Sequence, residues 1–299
     1  METRPSQTPV SPQALETALG RLGHSSFRPA QSQAIEILFD EGSLLLVAPT
    51  GGGKSLCYQL PALLLGGTTL VISPLISLMR DQVAALEAQG IEATFLASTL
   101  SNREIDNRLR DLAEGRYQLA YVAPERLAMP EFANLLSQLE CPLVAIDEAH
   151  CISEWGHDFR PEYMQIGRVL ESLPKARVLA CTATATPVVR DEIVERLGLA
   201  PDTKQLVSGF ARPNLALRVH EVRDKKEREA WVDDALAEAL GEPGRKSGAA
   251  IVYAPTRRAA EGESERLSRI GWRTLAYHAG LEAEAREVAH AGFSSGELE

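Results

Sequence analysis

The stretch Ala48-Pro49-Thr50-Gly51-Gly52-Gly53-Lys54-Ser55, APTGGGKS, carries an apolar run into a helical pattern through three consecutive glycines. Glycine has no Cβ, so Gly51 to Gly53 can take positive φ angles and let backbone N–H groups approach an anion closely. The apolar SLLLV of Ser43 to Val47 precedes the turn, and Leu56, Leu60, Leu63 and Leu64 follow it at helical spacing. A strand, a glycine-rich turn and a helix opening at Lys54 form a phosphate-binding loop. The positive helix end and the Lys54 ammonium favour β- and γ-phosphates, and the Ser55 hydroxyl suits Mg²⁺. Thr50, Gly51, Gly52, Gly53, Lys54 and Ser55 are therefore the candidate ATP-binding residues, although Ala48 stands where the usual pattern G-x-x-x-x-G-K-[ST] begins with glycine.

Outward from this loop, strands and helices alternate. Thr68 to Ser73 reads as a buried strand followed by a helix with Ile76, Met79, Val83 and Leu86 on one face. Ala93 to Ala97 and Leu119 to Leu127 read as further strands, with Asn102 to Glu114 helical between them. Strands separated by helices imply right-handed βαβ units and a parallel sheet, so the fold class is α/β, with ligands at the carboxyl ends of the strands. The next strand, in PLVAIDEAH from Pro142 to His150, delivers Asp147 and Glu148 to that edge. Asp147 suits a contact to Mg²⁺, and Glu148 suits orienting and polarising an attacking water. Asp147 follows Lys54 by 93 residues, and the two signals together are far more specific than an acidic pair alone.

Three further groups surround this pair. Ahead of the loop, Arg28 and Gln31 stand one turn apart at the start of a helix running to Phe39, and a glutamine amide can pair with two edges of adenine. Beyond it, SEWGHDFRPEY, Ser153 to Tyr163, interleaves Trp155, Phe159 and Tyr163 with His157, Asp158 and Arg160. Gly156 and Pro161 break any helix there, so an exposed stacking surface is expected, on which a base gains roughly 1–3 kcal/mol while Arg160 takes a phosphate. Lastly, the strand Arg177 to Thr186 ends in Thr182 and Thr184, placed to sense the neighbouring site or to cap the next helix.

The totals limit the partners. The 299 residues carry a net charge of −10, with 17 basic and 25 acidic residues up to Ser208 and 14 and 16 after it. Neither half has the basic footprint usual for a nucleic-acid reader, so any such contact rests on local clusters. Cys57, Cys141, Cys151 and Cys181 are isolated, with no C-x-x-C spacing for zinc or redox work. No run approaches the roughly 18 apolar residues of a membrane span, and METRPSQTPV lacks a signal-peptide core, so a cytoplasmic protein without membrane contact is expected.

From Ala211 the pattern restarts. Leu215 to Val222 alternates as a strand, Lys225 to Leu240 is helical, AAIVYAPT from Ala249 is a strand leading into a helix over Arg257 to Ile270, and RTLAYHAGL gives a third strand before a helix over Glu284 to Phe293. Three domains of sequence follow: a helical lead-in over 1–26, an ATP-binding domain over 27–208 and a second, partial domain over 209–299.

Taken together the segments closely resemble the RecQ family of DNA helicases within superfamily 2, from about Phe27 to the last residue. FRPAQ resembles the adenine-reading motif, APTGGGKS motif I, SPLISLMRDQV motif Ia, YVAPERL motif Ib, and IDEAHCISEWGHDFRPEY the DEAH-type motif II with its aromatic loop. TATAT resembles motif III, IVYAPTR motif IV and YHAGL the segment after it; the Trp155 loop and FARPNL are the most specific of these. The resemblance implies two RecA-like P-loop NTPase lobes with parallel sheets, ATP between them, and 3′ to 5′ movement on single-stranded and forked DNA in repair and recombination. It implies that Arg28 and Gln31 hold adenine, that Lys54, Asp147 and Glu148 are catalytic, and that Ser55 and Asp147 hold Mg²⁺. His150, Trp155, His157, Phe159, Arg160, Thr182 and Thr184 would bind DNA or couple it to hydrolysis.

His24 stands where the family often has an adenine-stacking tyrosine, and Ala30 replaces a common glycine in a change that reads as neutral. The sequence stops at Leu298-Glu299, where the resemblance calls for motifs V and VI, so the second lobe is expected to be incomplete and the chain to bind ATP with little turnover. A motif VI arginine finger is worth roughly 10³–10⁵ in rate. No zinc site is expected, the protein partners are unknown, and a bacterial source would make the protein nucleoid-associated. A DExH RNA helicase, or a non-catalytic nucleotide- or single-strand-binding remnant, is the alternative reading.

Overall fold

Short apolar runs with β-branched residues build the sheet of the computed structural model, which describes residues 10–136, 138–155, 158–209, 214–245 and 247–299. The strands are β1 (Ser43–Val47), β2 (Thr69–Ile72), β3 (Ala93–Leu96), β4 (Leu119–Val122), β5 (Leu143–Ile146), β6 (Arg177–Thr182) and β7 (Lys204–Val207). All pairings are parallel, in the order β3-β4-β2-β5-β6-β1-β7. Helices α1 (Pro12–Arg21) and α2 (Gln31–Glu41) precede the strands, and α3 (Leu56–Leu65), α4 (Ile76–Ala88), α5 (Asn102–Ala113), α6 (Pro130–Leu136), α7 (Ile166–Ser172) and α8 (Pro187–Arg196) connect them.

The two-residue period of a strand sends alternate side chains of β1 to opposite faces. Leu44 and Leu46 pack with Ile35, Leu38, Tyr58 and Met79 of α2, α3 and α4, while Leu45 and Val47 join the core that holds Phe132, Ile166 and Ile193 of α6, α7 and α8. Both faces of the sheet are therefore covered, as parallel sheets require. Local signals fix the helix starts. Ser11 accepts from the Ala14 N–H at 3.2 Å, Ser101 and Glu104 form a reciprocal capping box, and Thr186 accepts from the Val189 N–H at 3.4 Å.

The chain divides into two compact units, one up to Leu215 and one from Ala216. The second contains α9 (Lys225–Leu240), α10 (Arg257–Arg269) and α11 (Ala283–Ser294), with a small core of Leu236, Leu240, Leu267 and Trp272. Its three expected strands are not formed among the described residues: 215–222, 249–254 and 273–277 run without a backbone ladder. Instead of pairing, the second and third segments both line a cavity of about 780 Å³, whose wall includes Ile251, Tyr253, Leu275, Tyr277 and Phe293. A strand is a pairing, and alternation in sequence cannot supply the partner. The FARP of the FARPNL motif, residues 210–213, lies outside the described residues. Among the described residues no helix is long and apolar enough to cross a membrane.

Candidate active site

The carboxyl edge of the sheet gathers the chemistry. β1 ends at the glycine-rich loop, β5 ends at Asp147 and β6, lying between them, ends at Thr182. Neighbouring strands are about 4.8 Å apart, so two strand spacings, about 10 Å, separate the loop from the carboxylates. The edge is also stitched across its strands: Ala48 N–H donates to the Thr182 carbonyl at 3.1 Å and Asp147 N–H to the Ile72 carbonyl at 2.8 Å.

In the loop, Gly51 and Gly53 both take φ +76°. A Cβ at Gly53 would collide with the Gln31 amide, and one at Gly52 would lie 2.8 Å from the Pro49 carbonyl oxygen. Lys54 Nζ donates to the carbonyls of Ala48 at 3.0 Å and Pro49 at 3.4 Å, which holds the ammonium within the loop's concavity. The first turn after the glycines bonds from Leu56 N–H to Gly53 O at 3.2 Å and from Cys57 N–H to Lys54 O at 3.0 Å, and regular α-helix begins at Leu56, two residues later than expected.

Arg28 and Gln31 are brought directly onto this loop. Gln31 is buried; its Oε1 accepts from the Arg28 backbone N–H at 2.7 Å and its Nε2 donates to Gly53 O at 2.9 Å, while the Arg28 guanidinium donates to Gly51 O. Between them Ala30 sits at φ +69°, a left-handed conformation that costs a non-glycine residue about 1–2 kcal/mol. Ala30 is therefore not the neutral replacement expected, and a glycine there would remove strain.

Asp147 is buried, and its carboxyl is pushed up to about 6, first by that burial and then by the neighbouring Glu148 charge; the Glu148 N–H at 3.1 Å and the Lys54 ammonium pull the other way. A buried carboxylate that is costly to ionise is relieved by a nearby cation, and its oxygens, like the Ser55 hydroxyl, are ligands of the hard kind Mg²⁺ takes. These residues thus fit Mg²⁺ and a phosphate chain. Glu148 adopts φ +47°, ψ +45°, strain of a kind that persists where the surroundings over-determine a functional side chain. Its Oε2 lies 3.3 Å from His150 Nδ1, and the same nitrogen lies 2.9 Å from Thr182 Oγ1. The Thr182 hydroxyl donates onward to the Thr184 carbonyl at 3.1 Å, so Thr182 serves the site edge, and the cap of α8 falls to Thr186.

The aromatic segment divides. Trp155 is 78% exposed and Phe159 38%, whereas Tyr163 is fully buried and donates its hydroxyl to the Asp147 carbonyl at 2.8 Å. Tyr163 therefore belongs to the core rather than the stacking surface expected of it. Arg160 is tied to Asp158 at 3.0 Å, and Ser153 Oγ donates to Glu192 of α8 at 2.5 Å, which anchors the start of the loop. His157 lies outside the described residues. Sequence reasoning missed the pairing of Cys151 with Asp158, whose Sγ and Oδ2 are 3.8 Å apart. Burial, then the Asp158 charge, pushes the Cys151 thiol up to about 12.

The model of the DEAD/DEAH box helicase family matches residues 28–192, more than half the chain and within the first unit. A Bacillus subtilis protein named ATP-dependent DNA helicase RecQ is 44% identical over 279 residues, 93% of this chain and 46% of its own length. The protein of the same name from Haemophilus influenzae is 40% identical over 94% of this chain and 44% of its own length, so the chain spans about half the length of these relatives. Among solved structures, that of the DUF1998 helicase MrfA bound to DNA and AMPPNP superposes with a TM-score of 0.69 at 18% identity, over 97% of this chain and 44% of that one. A hypothetical ATP-dependent RNA helicase from Sulfolobus tokodaii gives 0.53 at 20% identity, over 96% and 81%. The structural likenesses carry the α/β helicase fold, and the sequence matches carry the kinship: the chain belongs to the DEAD/DEAH box helicase family, among its RecQ members.

Proposed function

We propose that this chain is the ATP-binding motor portion of a RecQ-type DNA helicase, coupling ATP hydrolysis to movement on single-stranded DNA. One observation carries the reading. His150 joins Glu148 to Thr182 at 3.3 and 2.9 Å, and five residues further on the same segment exposes Trp155. A base stacking on Trp155 would pull on the segment that fixes the water-orienting carboxylate, so strand binding and chemistry share a few residues.

Lys54 and the loop amides would hold the β- and γ-phosphates, and Ser55 and Asp147 the cation. Bound Mg²⁺ supplies charge neutralisation across the phosphates. Glu148 orients the attacking water and accepts its proton, with His150 setting the carboxylate's position. Arg28 and Gln31, already on the loop, would turn their polar groups to the adenine. Residues 27–208 form the ATP-binding lobe in this reading and 209–299 part of the second. Movement from 3′ to 5′, forked substrates, a role in repair and recombination, and a cytoplasmic or nucleoid location follow the same kinship.

The test is tryptophan fluorescence during titration with matched single-stranded DNA and RNA. DNA is expected to quench the signal, and Trp155→Ala to weaken binding by roughly 1–3 kcal/mol while fluorescent-nucleotide affinity holds. Equal losses in both affinities, or tighter binding of RNA, would contradict the reading.

A further inference from the structure

We propose that His150, Cys151 and Asp158 form a binding site for one soft divalent cation, of which Zn²⁺ is the natural occupant. The Sγ of Cys151 lies 3.9 Å from His150 Nε2 and 3.8 Å from Asp158 Oδ2, and all three donor atoms fall within 4.8 Å of one another. Around a tetrahedral zinc with Zn–S near 2.3 Å and Zn–N or Zn–O near 2.0 Å, ligand atoms sit about 3.6 Å apart from the sulfur. The two separations from the sulfur therefore need to close by only a few tenths of an ångström, while the imidazole and carboxylate atoms, within 4.8 Å of each other, would move by side-chain rotation to the roughly 3.3 Å of a tetrahedral pair, and a solvent water completes four ligands.

The hydrogen bonds around the three residues orient them for this role. The carboxylate of Glu148, 3.3 Å from His150 Nδ1, can only accept, and the Thr182 oxygen, 2.9 Å from the same nitrogen, can accept too while its hydroxyl proton turns to the Thr184 carbonyl at 3.1 Å. Nδ1 therefore carries the ring proton, and in the neutral imidazole Nε2 keeps its lone pair on the side of Cys151. A ring N–H held by an oxygen acceptor while the other nitrogen faces the metal is the arrangement that orients histidine ligands in zinc sites. Asp158 is positioned by the Arg160 guanidinium, which donates to the same Oδ2 at 3.0 Å and leaves that oxygen a second lone pair for the ion. The expectation of no zinc site rested on cysteine spacing, and a single cysteine beside a histidine, completed by a carboxylate seven residues on, has none of the usual spacing. On binding, the Cys151 thiol proton passes to solvent as the metal–sulfur bond forms, with no change of oxidation state. The ion would fasten the Trp155 loop to the residue next but one to Glu148.

Titration of this chain with Co²⁺, in excess Mg²⁺ to fill the phosphate site, tests the proposal. One equivalent should give tetrahedral d–d bands with a thiolate-to-cobalt charge-transfer absorption, and Zn²⁺ should displace both. Cys151→Ser should abolish the charge transfer, Asp158→Asn should weaken Co²⁺ at least as much, and Thr182→Val should weaken it about tenfold through loss of the imidazole's orientation. Circular dichroism checks that the variants fold, and the exposed Asp158→Asn change keeps the test open if Cys151→Ser does not. The absence of charge transfer in the unaltered chain would overturn the site, as would unchanged absorption and affinity in Asp158→Asn.

Discussion

Two stretches of this chain read almost alike and end differently. LLLVAPT, Leu44 to Thr50, and AIVYAPT, Ala250 to Thr256, are both apolar runs closing in Ala-Pro-Thr before a helix. The first is β1, paired with β6 on one side and β7 on the other, and its Val47 is fully buried. The second has no ladder, and its Tyr253 is 90% exposed on the wall of a cavity. After the threonine they diverge again. Thr256 caps α10 directly, its Oγ1 accepting from the Ala259 N–H at 3.1 Å, whereas Thr50 is followed by the glycines that fold the cradle before α3 can start. A strand is thus decided by its neighbours, and a phosphate site by the residues inserted between strand and helix.

With the chemistry proposed for the first stretch and its partners on the sheet edge, the largest expected effect is at Glu148. Glu148→Gln should lower ATP turnover by about 100-fold or more, the usual scale for a lost general base, while nucleotide binding persists; phosphate-release kinetics beside fluorescent-nucleotide titration separate the two. Turnover that survives the change would move the chemistry elsewhere. Next, Lys54→Ala should weaken nucleotide binding by roughly 2–3 kcal/mol, on the order of 100-fold, through lost charge-assisted bonds. Thr256→Ala, the matched change in the second stretch, should leave that affinity unchanged and cost about 1 kcal/mol of stability through the lost cap. Similar affinity losses from both would erase the distinction.

Protons sharpen it further. A proton and Mg²⁺ compete for the Asp147 carboxylate, whose value lies at about 6, so Mg²⁺-dependent nucleotide affinity should be flat above that pH and fall about tenfold per unit below it. Calorimetry between pH 5 and 8 reads the bend, and Asp147→Asn should remove it. For stability without Mg²⁺ the sign reverses. The native carboxyl binds its proton more tightly than the unfolded one, so this group destabilises the fold as pH rises from 3.8 to about 6, by about 3 kcal/mol in full. The smallest effect is at Ala30, where a glycine should stabilise the first unit by about 0.5–1 kcal/mol net of its greater freedom when unfolded, seen as a rise of about 2 °C in Tm.

Much of the first unit was legible because its signals are local. Apolar runs bounded by glycine gave β1 and β2, and the spacing of Lys54 and Asp147 placed a phosphate loop and a carboxylate on one edge. What escaped depends on contacts between distant residues. Tyr163 looks like its aromatic neighbours until its hydroxyl is found on the Asp147 carbonyl. Ala30 looks conservative until its φ is known, and the strain at Glu148 has no compositional mark. The unpaired runs of the second unit show the same limit from the other side, since alternation at 249–254 describes a strand's faces but says nothing of its edges.

Hydrogen exchange with and without a non-hydrolysable Mg·ATP analogue tests the central claim most directly, because it reads both Ala-Pro-Thr stretches in one sample. Amides from Gly51 to Leu56 should gain strong protection on binding, and those from Thr256 to Ala260 should exchange as before. Protection gained at the second stretch, or none gained at the first, would contradict the assignment of the nucleotide site to APTGGGKS.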